Sequence, residues 1–63
     1  MSIGEKLRAL RKDKSLETVS KETGLTAQAI WNYEQNLRVP KDENKITLAN
    51  YYKVSVQELF FEE

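Results

Sequence analysis

The 63-residue chain contains no cysteine and no histidine. That removes disulfides, Cys/His zinc sites, histidine general bases and thiol nucleophiles together. Carboxylates remain, but the pattern puts them at helix caps and surfaces with no base or metal partner, so no catalysis, metal or other cofactor is expected. No apolar run approaches the roughly 18 residues that a bilayer span requires. The opening MSIGEKLRAL lacks the apolar core of a secretory signal. A soluble, cytoplasmic protein is expected, with no membrane partner. Charge of one sign is also missing: ten Lys and Arg balance ten Asp and Glu.

What is present fits one small domain over residues 1–63. A chain of this size buries only about 60% of its unfolded surface, so its stability is expected to be a few kcal/mol at most. The zero net charge weighs against a nucleic-acid binder, because such domains are usually basic. Its distribution softens that objection. Lys6, Arg8, Arg11, Lys12 and Lys14 outnumber Glu5 and Asp13 in the first fourteen residues. From Val39 onward Lys41, Lys45 and Lys53 face Asp42, Glu43, Glu58, Glu62 and Glu63.

Taken in order, Ser2-x-x-Glu5 has the spacing of a capping box and predicts a first helix with Ile3, Leu7 and Leu10 on its buried stripe. Ser15 can cap a second helix over 16–22 with Val19 in the core, and Gly24 is the expected left-handed residue that closes it. Pro40 fixes an extended break. Asp42 or a neighbour then caps a fourth helix whose inward face is expected to carry Ile46, Ala49 and Tyr52. Ser55-x-x-Glu58 is a second capping box and opens a short last helix with Val56, Leu59 and Phe60. Leu59, Phe60 and Phe61 are the candidate dimer interface, with one phenylalanine in the core and the other exposed. No alternating strand pattern occurs, so the expected fold is all-α, with five short helices.

The stretch LTAQAIWNYEQNLRVP carries the main functional signal. Thr26 is a candidate N-cap. On a 3.6-residue helix over 27–35, Ala29, Ile30 and Tyr33 share one face, with Leu37 following on the same side. Gln28, Trp31, Asn32 and Gln35 point the other way, with Ala27 at their edge. That outward face has amides and an indole but no charge, whereas solvated faces are usually rich in Lys and Glu. Helix–Gly–apolar–Thr–helix is a helix-turn-helix spacing, with its core at about 15–36.

With Ser15, Val19, Ser20, Gly24, Thr26, Ile30, Glu34 and Pro40 at matching places, the chain resembles the Cro/repressor-type helix-turn-helix regulators of the xenobiotic-response-element group, found in bacteria and phages. IGEKLRALRKDK resembles that family's first helix and LANYYKVSVQELF its last two. The resemblance implies a lambda-repressor-like five-helix domain acting as a repressor-type transcription regulator of phage or prophage kind. It implies that the third helix enters the major groove of a double-stranded DNA operator. Base edges would be met by Ala27, Gln28, Trp31, Asn32 and Gln35, and phosphates by Ser15, Thr26, Asn36, Arg38 and Lys41. It also implies an ion pair between Arg11 and Glu34 that sets the reader helix on the first helix. A homodimer reading two half-sites about 34–36 Å apart follows from the same likeness.

The chain departs from its relatives at Leu16, where many carry Gln, and at Trp31, where a small or polar residue is usual. These features and the zero net charge frame a competing expectation: a protein-interaction module on the same fold, such as an antirepressor or antitoxin-like partner.

Overall fold

The computed structural model describes residues 2–61. Met1, Glu62 and Glu63 lie outside them, so the last two charges of the acidic C-terminal stretch have no structural description. Five helical segments follow one another: α1 (Ile3–Arg11), α2 (Leu16–Thr23), α3 (Ala27–Glu34), α4 (Asp42–Tyr52) and α5 (Gln57–Phe61), the last a single π-type turn. No strand occurs among the described residues.

Local chemistry sets most of the boundaries. The Ser2 hydroxyl accepts from the Glu5 N–H, and the Glu5 carboxylate accepts from the Ser2 N–H at 2.9 Å, so both arms of the first box are closed. The same reciprocal pair forms between Ser55 and Glu58. Ser15 caps α2 through the Thr18 N–H, and Thr26 caps α3 through the Ala29 N–H. Gly24 has φ +83° in the left-handed region, where a β-carbon would be strained. Lys12, Asn36 and Lys53 also adopt positive φ, and each ends or follows a helix.

The core joins Leu7, Tyr33, Leu48, Ala49, Leu59 and Phe60, with Ile3, Leu10, Leu25, Tyr52 and Val54 packed against it. Val19 and Ile30 are buried as well. α1 packs on α3 and α5, while α2 packs on α3 and α4.

The cap of α4 is Lys41, the neighbour of Asp42; it makes no side-chain capping bond, and Asp42 is the first helical residue, where its charge complements the helix dipole. Three expectations need correction. Ile46 is 52% exposed, because the inward stripe of α4 runs through Lys45, Leu48, Ala49 and Tyr52. Leu37 does not continue the core face of α3: the helix ends at Glu34, and the positive φ of Asn36 turns the chain outward first. Leu59 and Phe60, expected at a dimer interface, are buried within the single chain, which leaves Phe61 as the exposed member of that trio.

Candidate nucleic-acid interface

Three sets of contacts hold α3. The first is the turn that leads into it. The Ser20 hydroxyl donates to the Leu25 carbonyl, the Thr23 hydroxyl donates to the Val19 carbonyl at 2.7 Å, and the Leu25 N–H returns to Thr23. The second is an ion pair with α1. Arg11 Nε and Nη2 meet the two Glu34 carboxylate oxygens at 2.8 and 2.9 Å, a bidentate geometry. The Glu34 side chain is 1% exposed and that of Arg11 13%. Glu34 raises the pKa of the guanidinium further, chiefly through these hydrogen bonds. A remaining Arg11 nitrogen donates to the Lys14 carbonyl. The third is Tyr33, whose ring is in the core and whose hydroxyl accepts from Asn44 of α4.

A fourth tie was not visible in the sequence. The Asn36 amide accepts from the Gly4 N–H at 2.9 Å and donates to the Ser2 hydroxyl at 3.1 Å. α1 comes so close here that a β-carbon on Gly4 would overlap the Glu34 carbonyl and lie 2.8 Å from the Asn36 oxygen. Both polar ends of Asn36 thus bond to the start of α1, although the residue itself is exposed and its amide nitrogen keeps a second N–H to offer outward. The contact spans 32 residues, so no local pattern announces it.

Fixed in this way, α3 turns Gln28 and Trp31 to solvent, with Asn32 and Ala27 half-buried beside them. Gln28 and Asn32 are one turn apart, and the Gln28 amide donates to the Asn32 side-chain oxygen at 3.1 Å. The two amides therefore form one polar unit, still with donors and acceptors to offer outward. Gln35 is exposed at the end of the helix. No charged side chain interrupts this row.

A helix-turn-helix family model matches residues 5–59, nearly the whole chain. The chain belongs to the helix-turn-helix family. Its general function is that of a DNA-binding transcription regulator. Compared with the curated proteins, the chain matches none.

In this helix-turn-helix domain the expected phosphate residues differ in how free they are. Arg38 is exposed and belongs to no ion pair among the described residues. Lys41 lies 3.5 Å from Glu43, a solvated contact of little energetic weight. Ser15 and Thr26 stand at the starts of α2 and α3, where their hydroxyls serve as caps and the first-turn N–H groups favour an anion.

The basic first segment is less available than its charge suggests. Arg11 is committed to Glu34, and the Lys6 ammonium donates to the Glu58 carbonyl. Lys14 donates to the Tyr51 hydroxyl at 2.8 Å and pairs with Glu22, to which Tyr51 also donates. Tyr51 is the main cause of both resulting shifts: Lys14 is raised, and Glu22 is held below the usual carboxylate range. Arg8 and Lys12 are the exposed remainder. No described helix is long and apolar enough to cross a membrane.

Proposed function

We propose that this domain is a sequence-specific, Cro/repressor-type reader of a double-stranded operator, with α3 in the major groove. The observation that carries the reading is the uncharged, amide-bearing outward face of α3, held on its inner side by a buried ion pair. Gln and Asn amides can pair adenine N6 and N7 bidentately, and Ala27 can meet a thymine methyl beside them. Arg38, Lys41 and the starts of α2 and α3 supply the phosphate contacts, which set position without reading sequence. The domain comprises residues 1–63, acts in the cytoplasm without enzymatic activity, and binds its operator as a homodimer. Phe61 is the exposed remainder of the expected dimer contact, and Ile46 and Val56 line a shallow groove with it.

A protein-docking module is the second reading. Leu37 and Val39 are 64% and 71% exposed just beyond α3, and Trp31 is 40% exposed on it. Such apolar surface beside a neutral domain would suit a protein partner.

Selection of random duplexes on the purified protein at about 50 mM and 200 mM salt separates the two, because phosphate-anchored binding weakens steeply over that range. Recovery of a palindrome that loses affinity with salt supports the operator reader. Recovery of no preferred duplex at either salt overturns it.

A further inference from the structure

Leu16 and Trp31, two positions at which the chain departs from the relatives it resembles, border the same recess in the structure. Leu16 of α2 and Ala27, Gln28 and Trp31 of α3 line one shallow, mainly apolar recess. Leu16 and Ala27 are the first residues of their helices, so the recess opens where α2 and α3 both begin. Gln28 forms its polar edge and leads directly to the Asn32 amide. No charged side chain lines it.

An apolar hollow continuous with a DNA-reading face has few complements in a duplex. Base edges in the major groove present hydrogen-bond donors and acceptors, and the one apolar group among them is the C5 methyl of a pyrimidine. The phosphates alongside carry charge, which suits the unpaired N–H groups at the two helix starts rather than the hollow itself.

We infer that Leu16, together with Ala27 and Trp31, forms a receptor for a pyrimidine C5 methyl and that Leu16 is a specificity-determining residue. This rests on α3 being the major-groove reader. Within that frame, Leu16 gives the second helix a part in reading sequence. Gln28 and Asn32 address the adjacent base edges, and the recess requires a methylated pyrimidine next to them.

The probe is the duplex recovered from the random selection, remade with single thymines replaced by uracil. Uracil keeps every hydrogen-bonding atom and lacks only the methyl. Loss of one buried methyl corresponds to about fourfold in affinity, from about 0.8 kcal/mol per buried carbon. The expected result is a fall of that size at one or two positions in each half-site and none elsewhere. In Leu16→Gln the thymine-to-uracil ratio at those positions should move to about one, while the preferences set by Gln28 and Asn32 persist. In a parallel series single cytosines become 5-methylcytosine, and tightening at one position identifies that base as the source of the methyl. The inference is overturned if neither series changes affinity in the unaltered protein, even though the duplex binds. It is equally overturned if the ratio is unchanged in Leu16→Gln. If no duplex is recovered at all, the reader assignment has failed and the methyl receptor fails with it. Binding of a protein partner that Leu16→Gln abolishes would then assign the recess to docking.

Discussion

Replacing Glu34 by alanine perturbs the fold at its tightest polar joint. The carboxylate is 1% exposed and accepts two Arg11 hydrogen bonds at 2.8 and 2.9 Å. Its removal leaves a largely buried guanidinium without its counter-charge. Stranding a fully buried charge costs about 3–5 kcal/mol. Arg11 keeps its bond to the Lys14 carbonyl and 13% of its side-chain surface, so relief by water lowers the expected loss to about 1–3 kcal/mol. For a domain of this size that range is a large share of total stability, and each kcal/mol lowers Tm by about 4–8 °C. Urea titration followed by far-ultraviolet circular dichroism measures it directly. The double variant Arg11→Met/Glu34→Leu should recover most of the loss, because an apolar pair has no charge to strand. A loss below about 0.5 kcal/mol for Glu34→Ala would match a solvated surface pair and refute the reasoning.

Gly4→Ala should destabilise by about 1–3 kcal/mol in the same titration, since its methyl collides with the backbone of Glu34; an unchanged midpoint would refute the close approach. Burial pushes the Tyr52 hydroxyl up to about 12, and it has no hydrogen-bond partner among the described residues. The unfolded chain therefore releases this proton first, near its ordinary value of 10.0, and the linked stability declines as pH rises from about 10 to 12. Tyr52→Phe should reduce that decline and cost little near neutrality; parallel pH profiles of the two proteins would contradict the assignment. Phe61→Ser should weaken self-association in sedimentation equilibrium without changing the Tm appreciably, and an unaltered protein that stays monomeric at high concentration and binds a palindrome without cooperativity would end the homodimer proposal.

The parts of the fold legible in the sequence are those determined within one helical turn. Ser2 with Glu5, Ser55 with Glu58, the Ser15 and Thr26 caps and the left-handed Gly24 all depend on neighbours a few residues away. The inward face of α4 was legible only in part: Ala49 and Tyr52 turn inward as expected, but Ile46, Leu48, Ala49, Tyr51 and Tyr52 are spread around the helix, and only packing in the shared core selects Leu48 over Ile46. The burial of Leu59 and Phe60 has the same origin, because an apolar tail can cover its own core or another molecule, and the spacing does not distinguish them. The Gly4–Asn36 bracket joins residues far apart in the chain, and a lone glycine in a helix gives no partner. The outward row on α3 follows directly from helical periodicity. Its link to Leu16 required the angle between two helices.

The most direct measurement of base reading by α3 compares Gln28→Ala, Asn32→Ala and Arg38→Ala on a panel of duplexes varied one base pair at a time. Loss of either amide should cost about 1–3 kcal/mol on the preferred duplex and relax preference at one position only. The hydrogen bond between Gln28 and Asn32 makes the two losses non-additive in the double variant. Arg38→Ala should weaken all duplexes alike and reduce the salt slope by about one. Sequence preference left intact by both amide substitutions would contradict major-groove reading by α3 and move the function to protein docking, with Trp31 as the anchor.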